Sequence, residues 1–438
     1  MLKRMRSFLV LVMLFITVTM SAQVTTATMS GKVTAQDEPI IGATIVAVHE
    51  PSGTRYGTVT NVSGQFNLQG MRTGGPYKVE ISYVGYQTAI YKGINLLLGE
   101  NYVLNVSLKE SSELLDEVVV TASKESNMKS DRAGAIMNAN RDMINSTPTI
   151  SRSISDIMRL SPQGADVGNG FAVGGGNYRQ SFVTVDGAAF NNTFGLGGNL
   201  PANGSPISLD ALEQVTVAVT PFDVRQSGFT GGAINAVTRS GDNQFRGTAY
   251  MYFNNENLKG SKVDDYELLR SKAQYYTYGA SFGGPIIKDK LFFFVNGEYE
   301  DNVTAGSSYR PRTALGESYS GGNVHRPLQS DMDDIRSFLL KKYDFDPGKY
   351  NGYSTDTPAY RIMARVDWNA NQDNKVSFRF TRTHTKDSNF PTSSTNPLYS
   401  SDLYPGGKSN EVIDGKPVGD IAKGQGRTSK YALSFSNS

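Results

Sequence analysis

The sequence predicts a mainly β protein that contains an N-terminal β-sandwich, a mixed α/β domain and an incomplete antiparallel β-barrel of the transmembrane type. Three observations support this fold class. Short β-forming runs alternate with turn signals near the N-terminus, a glycine-rich region of weak periodicity follows, and amphipathic strands fill the C-terminal part. We therefore divide the chain into residues 1–22, 23–112, 113–133, 134–241 and 242–438.

Residues 1–22 have the pattern of a secretory signal peptide. Basic residues precede an apolar run and small residues follow it: Lys3, Arg4 and Arg6, the run from Phe8 to Met20, then Ser21 and Ala22. This arrangement predicts cleavage before Gln23. The run is short for a transmembrane helix.

The composition limits the classes of function. The chain has no cysteine, which excludes a lipoprotein anchor, a disulfide framework and a thiolate metal site within it. Its 43 basic and 41 acidic residues are scattered and give a net charge of +2, so nothing indicates nucleic-acid binding.

Residues 23–112 predict a small all-β sandwich, because β-forming runs recur at intervals of roughly eight to twelve residues between turn signals. The predicted strands are Ile45–Val48, Tyr56–Thr60, Phe66–Leu68, Lys78–Tyr83 and Tyr102–Leu108. Asn61–Gly64 and Gly74–Pro76 are predicted as turns.

Residues 134–241 predict a mixed α/β domain. Ser151 is predicted to cap a short helix that ends at Ser161-Pro162 and carries one apolar face, formed by Ile154, Ile157, Met158 and Leu160. Phe182 to Asp186 predicts a strand that enters an Asp-Gly turn, and Leu209 to Val219 predicts a helical turn that leads into another strand.

Residues 242–438 predict the first strands of a barrel. Between Arg361 and Trp368, the charged face of Arg361, Met363, Arg365 and Asp367 alternates with the apolar face of Ile362, Ala364, Val366 and Trp368. The other predicted strands are Phe245–Asn255, Tyr276–Phe282, Leu291–Glu300, Val376–Thr381 and Lys430–Phe435.

The connections between these strands alternate in length. Pro285–Lys290 and Asn369–Asn374 are short, whereas Glu256–Lys272, Asn302–Thr357 and Lys386–Thr428 are long and polar. Short periplasmic turns and long external loops are typical of outer-membrane barrels. Alternation with a period of two also fits a secreted sandwich or adhesin, in which a second sheet covers the apolar faces, so this alternative stays open.

Six strands are too few to close a membrane barrel, since the smallest natural barrels have about eight. In lipid, an open sheet edge leaves costly unsatisfied backbone groups. We therefore expect the sequence to be the front portion of a longer protein that would not insert stably alone.

Several segments resemble a known family. "GKVTAQDEPIIGATIVAV", "GTVTNVSGQFNL" and "VEISYVGYQT" resemble the transthyretin-like, carboxypeptidase-regulatory-like domain that precedes many outer-membrane receptors of Bacteroidetes. "PFDVRQSGFTGGAINAVTRSG" is similar to the segment that ends the plug of TonB-dependent receptors, and with "FGGPIIKDKLFFFVNGEYE" it is nearer to Oar-like receptors than to SusC-type glycan importers. The resemblance implies a non-catalytic first domain, a plug at residues 134–241 and an outer-membrane barrel.

A short segment between the first two domains resembles the Ton box of the same family in composition and placement. It consists of Asp116, Glu117, Val118, Val119, Val120, Thr121 and Ala122. An extended β-branched segment can add as a strand to the sheet edge of a partner. In isolation, however, such a run also predicts a buried strand. The resemblance implies periplasmic TonB, outer-membrane lipid and an imported ligand as partners, and it leaves a surface lipoprotein partner open.

The usual catalytic and metal-binding constellations are missing from the sequence. His49, His325 and His384 lie in different predicted regions without zinc-peptidase spacing. We therefore predict no catalytic residue, no bound metal and no cofactor. For ligand binding we predict side chains that suit a polar ligand in a wet vestibule, namely Tyr178, Arg179, Phe190, Asn191, Asn192 and Phe194.

The resulting expectation is a TonB-dependent receptor that imports a ligand across the outer membrane without chemical change. One alternative is a surface carbohydrate-binding protein or adhesin without transport. A secreted peptidase is a second alternative, which the absent catalytic spacings disfavour. The substrate stays open among iron chelates, cobalamins, glycans and peptides.

Overall fold

A computed structural model shows a mainly β protein, which confirms the predicted fold class. It describes residues 25–110, 118–121, 136–149, 152–167, 170–191, 198, 200, 204–219, 231–258, 260, 262–263, 266–267, 272–305, 310–318, 324–371, 374–386, 412–413 and 416–417. The chain divides into two compact units. Unit 1 comprises Met1–Ala249, Gly279–Glu298 and Arg361–His384, and unit 2 comprises Tyr250–Tyr278, Tyr299–Tyr360 and Thr385–Ser438.

The first part of unit 1, residues 25–110, is a β-sandwich. Its strands are β1 (Ala27–Ala35), β2 (Glu38–Pro39), β3 (Thr44–His49), β4 (Thr54–Val59), β5 (Gln65–Met71), β6 (Gly74–Ser82), β7 (Ala89–Leu96), β8 (Asn101–Val103) and β9 (Val106–Ser107). One sheet has the order β2-β1-β5, with β8 and β9 also paired to β1, and the other contains β7-β6-β3-β4. Alternate side chains of each strand, such as Ile45 and Ala47 on β3, fill the core between the sheets.

Three features of the sandwich differ from the sequence-based expectation. Tyr102–Leu108, predicted as one strand, forms the two short strands β8 and β9. Strands β1 and β7 were not predicted, because glycine and polar residues interrupt their alternation. Gly74–Pro76, predicted as a turn, begins β6 instead. The glycine is needed there for a close approach, since a Cβ on Gly75 would lie 2.6 Å from the carbonyl oxygen of Ile94 in β7.

The second part of unit 1, here called the middle domain (residues 136–240), is mixed α/β. Its strands are β11 (Ile136–Ala139), β12 (Gly164–Asp166), β13 (Phe171–Val173), β14 (Phe182–Val185), β15 (Ala188–Ala189), β16 (Leu212–Ala218) and β17 (Ala233–Thr238). Its helices are α1 (Arg141–Ser146) and α2 (Ile154–Met158), with 3-10 turns at Tyr178–Gln180 and Leu209–Ala211. The main sheet has the order β11-β16-β17-β14-β15, and β16 is buried along nearly its whole length.

The middle domain bears out most of its predicted elements. The strand before Asp186-Gly187 and the helical turn that leads into β16 are both present. The predicted cap was wrong, because the N-cap of α2 is Ser153 rather than Ser151, and the backbone N–H of Ser153 donates to Asp156. Leu160 also lies 37% exposed instead of joining the buried face.

A short strand, β10 (Val118–Thr121), lies between these two parts in sequence and pairs with β7. Asp116, Glu117 and Ala122 lie outside the described residues.

The C-terminal part contains one sheet of long strands in the order β18-β21-β22-β26-β27. These and the short strands around them are β18 (Arg246–Asn255), β19 (Lys262–Val263), β20 (Tyr266–Glu267), β21 (Gln274–Ile287), β22 (Leu291–Ala305), β23 (Arg310–Arg312), β24 (Val324–Leu328), β25 (Ser354–Asp356), β26 (Ala359–Asn369), β27 (Lys375–Thr385), β28 (Val412–Ile413) and β29 (Lys416–Pro417). Short turns join β21 to β22 and β26 to β27, whereas long segments precede β21 and β26, as the sequence predicts. The strand predicted at Lys430–Phe435 lies outside the described residues. Within the described part of the chain, the helices are too short or too polar to cross a bilayer.

Unit 2 contains helix α3 (Gln329–Tyr343), which ends at Asp344 in the left-handed conformation. Arg336 forms two hydrogen bonds of 3.0 and 3.1 Å to Asp346 just beyond the helix. Such a bidentate contact fixes the chain direction after the helix.

Candidate functional site

Strand β26 buries its charged face and exposes its apolar face. On β26, Arg361 and Arg365 are 2% and 6% exposed, whereas Ile362 and Trp368 on the opposite face are 46% and 50% exposed. Soluble proteins show the reverse pattern, since arginine is almost never fully buried unless it is paired. The arrangement suits strands whose outer face contacts hydrocarbon and whose inner face contacts the middle domain.

The first inner contact is a buried ion pair between two strands. Arg361 Nη1 lies 2.9 Å from Glu298 Oε1 of β22, and the side chains of the pair are 2% and 3% exposed. Ser208 Oγ of the middle domain donates to Glu298 Oε2 at 2.9 Å, and Arg361 Nε donates to the carbonyl oxygen of Ser205. The pair therefore joins two barrel strands to one segment of the middle domain.

The second inner contact centres on Arg365. Its Nε lies 2.8 Å from Asp367 Oδ2, and its Nη1 donates to the carbonyl oxygen of Thr238 at 2.6 Å. Asp186 of the middle domain accepts a hydrogen bond from Thr238 N at 3.0 Å and lies 3.5 Å from Arg379 Nε of β27. These charges bind the end of β17 and the turn after β14 to the inner face of the strands.

The third inner contact surrounds Asp210. Arg141 Nη2 lies 2.9 Å from Asp210 Oδ1, and Thr248 Oγ1 of β18 donates to Asp210 Oδ2 at 2.7 Å. Burial alone would raise the pKa of Asp210, but hydrogen bonds from Ser281, Thr248 and Arg141 outweigh it and lower that pKa below its ordinary value. Asp210 therefore stays ionised at neutral pH and links α1 to β18.

The sandwich also contacts the short turns of the barrel strands. Asn369 Nδ2 donates to Thr54 Oγ1 at 2.9 Å, and Asn243 N donates to the carbonyl oxygen of Pro51 at 2.9 Å. Gly53 has a φ of +63°, which strains any larger residue, and a Cβ there would lie 2.1 Å from Asp289 Oδ1, so the Asp289 side chain would have to shift. We call this set of contacts the rim contact.

Arg72 of the sandwich reaches the charged inner face of the barrel strands. Its Nη2 lies 3.5 Å from Asp367 Oδ2 and 3.4 Å from the carbonyl oxygen of Gly241. Leu98 of the sandwich and Val237 of the middle domain bury one another, at 2% and 4% exposure. The sandwich is thus attached both to the middle domain and to the strands.

A buried hydrogen-bonded chain supports the rim contact. His49 Nδ1 lies 2.7 Å from Ser52 Oγ, which in turn lies 2.7 Å from Thr54 Oγ1. Burial, with a smaller contribution from the charge of Arg72, lowers the pKa of His49 to about 3. His49 is therefore neutral at physiological pH, which suits a structural role; Ser52 is fully buried and cannot reach a substrate.

The predicted coupling segment is only partly described. Val118–Thr121 forms β10, which lies parallel to β7 in the register Val118↔Ala89 to Thr121↔Lys92. In that sheet β10 is the outermost strand, in the order β10-β7-β6-β3-β4.

The residues predicted to bind ligand lie in different surroundings. Tyr178 and Arg179 are in a 3-10 turn, with Arg179 Nε donating to the Tyr178 hydroxyl at 3.0 Å. Phe190 packs against the core of the middle domain. Asn191 accepts from Val183 N at 2.7 Å and donates to the carbonyl oxygen of Ser181 at 2.8 Å, which holds its own loop. Asn192 and Phe194 lie outside the described residues, so this site stays a prediction.

Comparisons with known proteins found matches to two domain families, to curated relatives and to solved structures. Residues 28–109 match the carboxypeptidase regulatory-like domain, and residues 237–414 match an outer membrane beta barrel domain. The TonB-dependent transporter Oar of Myxococcus xanthus is 28% identical over 254 residues, and the TonB-dependent receptor SusC of Bacteroides thetaiotaomicron is 28% identical over 269 residues. Among solved structures, the siderophore receptor PirA of Acinetobacter baumannii aligns over 58% of this chain and 32% of its own, with 17% identity and a TM-score of 0.39.

The chain is therefore an outer-membrane protein that carries a carboxypeptidase regulatory-like domain before a β-barrel domain. Its relatives are TonB-dependent transporters and receptors rather than enzymes. The alignments cover 56% and 58% of this chain but only 22% and 24% of those relatives, so the chain spans about a quarter of their length.

Sequence reasoning missed the polar residues that join the parts. Arg72, Asp210 and Asn369 look like ordinary surface residues in the sequence, and only the fold brings them together with Asp367, Arg141 and Thr54. The alternation on β26 does allow Arg361 and Arg365 to be found from the sequence. They are spaced by two residues from Met363, so all three side chains lie on the same, inner face of the strand.

Proposed function

We propose that the protein is a TonB-dependent outer-membrane receptor that actively imports a ligand. The observation that carries this proposal is the inverted burial of the strands, in which charges pack inward against the middle domain while apolar side chains face outward. A domain held inside a barrel by ion pairs is suited to act as a plug.

In this proposal residues 134–241, which include the middle domain, are the plug, and Asp116–Ala122 is the Ton box that pairs with TonB in the periplasm. Residues 1–22 direct export. The ligand contacts Tyr178, Arg179 and the loop at residues 190–194 from outside. Binding makes the Ton box available, and force derived from the inner-membrane proton gradient then remodels the plug.

The protein performs no chemistry on its ligand in this proposal. Within the described residues, no group of three or more His, Cys, Asp or Glu side chains is arranged to hold a metal ion. The buried His49 and Ser52 form a structural hydrogen bond inside the sandwich. The curated relatives are a transporter and a receptor, which supports a carrier.

Deletion of residues 116–122 tests the proposal in the full-length receptor. The probe is the purified periplasmic domain of TonB from the same organism, and the control is replacement of the seven residues by a flexible linker of equal length. We expect both variants to insert normally and to lose TonB binding. An inserted wild-type receptor that does not bind TonB would support an adhesin without transport.

A further inference from the structure

The edge of one sandwich sheet carries the central part of the proposed Ton box. Val118–Thr121 pairs with Ala89–Lys92, and the other side of β7 is taken by β6. An exposed strand edge is a template for another strand, so an unoccupied β7 would attract one. The sheet is completed here by the receptor's own segment.

The route of the chain favours this pairing. The residues just before the segment are tied to those just before β7, since Gln87 N donates to the carbonyl oxygen of Lys109 at 2.9 Å and Tyr86 forms a β-bridge with Glu110. A strand tethered so close to its partner has a high effective concentration there. A separate partner competes with this intramolecular contact.

The rim contact determines what would follow if the segment stayed on β7 while TonB pulled. Thr54 attaches the sandwich to Asn369 at the end of β26, and Pro51 attaches it to Asn243, which lies just before β18. Force on a segment still paired with β7 would load the sandwich first, and it would be shared between the contacts of the sandwich with the barrel strands and those with the middle domain. A direct pull on the plug through residues 122–135 therefore requires the segment to leave β7.

We propose that the sandwich holds the Ton box in an inactive position by pairing β10 with β7, and that TonB binds it only after this pairing opens. The inference rests on the proposed function, because it assigns residues 116–122 to TonB. It gives the regulatory-like domain a role, which is to set the fraction of receptors whose Ton box is available.

Position 92 allows the pairing to be locked or weakened. Lys92 is exposed, pairs with Thr121, and falls where the register between β6 and β7 is interrupted. Lys92→Pro disrupts the edge that faces β10, with Lys92→Ala as its matched control. Lys92→Cys combined with Thr121→Cys locks the pairing by a disulfide, and residues 1–438 contain no native cysteine.

The experiment measures binding of the purified TonB periplasmic domain to the full-length receptor in detergent without ligand. We expect Lys92→Pro to bind roughly tenfold more tightly than Lys92→Ala, because apparent affinity follows the fraction of competent receptor. The oxidised double variant should bind at least about tenfold more weakly than its reduced form, and the single Thr121→Cys variant should not respond to oxidation.

Failure to form the disulfide in the resting receptor would overturn the inference, as would equal TonB binding by the oxidised and reduced forms. Weaker binding by Lys92→Pro would also overturn it, because it would mean that the sandwich presents the Ton box to TonB. In these cases TonB still binds and the proposed function stands. Loss of TonB binding by every form, the wild type included, would instead refute the proposed function.

Discussion

Replacing Arg361 by methionine should loosen the middle domain from the barrel strands. The substitution keeps most of the side-chain volume but removes the donors to Glu298 and to the carbonyl oxygen of Ser205. Glu298 would then keep its hydrogen bond from Ser208 but lose the guanidinium that lies 2.9 Å from its carboxylate. Its side chain is 3% exposed, so water cannot replace the guanidinium without local opening.

The expected magnitude follows from that burial. Removing one partner of a buried ion pair costs about 3–5 kcal/mol, because the remaining charge is left unpaired. At the lower bound, hydrogen exchange around residues 204–212 should become about 100-fold faster, since each factor of ten corresponds to about 1.4 kcal/mol. The double variant Arg361→Met, Glu298→Leu removes both charges and should recover most of this loss, to within about 1 kcal/mol of wild type.

Hydrogen exchange detected by mass spectrometry on the full-length receptor measures this effect, with β3 of the sandwich as an internal reference. The double variant is the matched control. The reasoning would be refuted if both variants accelerated exchange equally, because the loss would then reflect packing and not an unpaired carboxylate.

Three further predictions concern other parts of unit 1. His49 takes up a proton in the unfolded chain near pH 6.5 but in the folded chain only near pH 3, so the sandwich should lose stability as pH falls through that window, by at most about 1.4 kcal/mol per pH unit. His49→Gln should reduce the dependence of sandwich stability on pH, measured by urea titrations that are monitored by amide hydrogen exchange in β3. Equal pH dependence in the wild type and the variant would contradict the assignment of this effect to His49. Asp210→Asn should lower the stability of the middle domain at pH 7 by about 2 kcal/mol, because it weakens charged hydrogen bonds with Arg141 and Thr248. The pKa of Asp210 is lowered from 3.8, so the wild type should lose its extra stability over Asp210→Asn only as pH falls below that value. A stability difference between the two proteins that persists at lower pH would contradict the role assigned to the ionised carboxylate. Phe378→Lys should destabilise insertion into lipid vesicles by about 2 kcal/mol, whereas Phe378→Leu should not, because Phe378 lies on the outer face at 67% exposure. Equal insertion of both variants would place that face away from lipid.

The sequence predicted the inner and outer faces of the strands because a strand has a fixed period of two. Once Ile362 and Trp368 are assigned to the outer face, Arg361 and Arg365 must lie on the inner one. The alternation of short and long connections predicted the barrel class, because connection lengths can also be read directly along the sequence.

The contacts between the parts could not be predicted in this way. Arg72 and Asp367 lie far apart in the sequence, and neither position belongs to a recognisable motif. The pairing of β10 with β7 was missed because Gly93 and polar residues obscure the periodicity of β7. A β-branched run alone does not specify which edge it joins.

The fit between Gly53 and Asp289 has a consequence for engineering chimaeric receptors. A Cβ at position 53 would lie 2.1 Å from the carboxylate and force that side chain to move, so the loop and the hairpin turn are adapted to each other at this point. A sandwich grafted from a related receptor would therefore need its donor's hairpin turns to be transplanted with it. Grafts that carry one half alone should weaken the rim contact and leave the new domain held only by its other contacts, such as that of Leu98 with Val237.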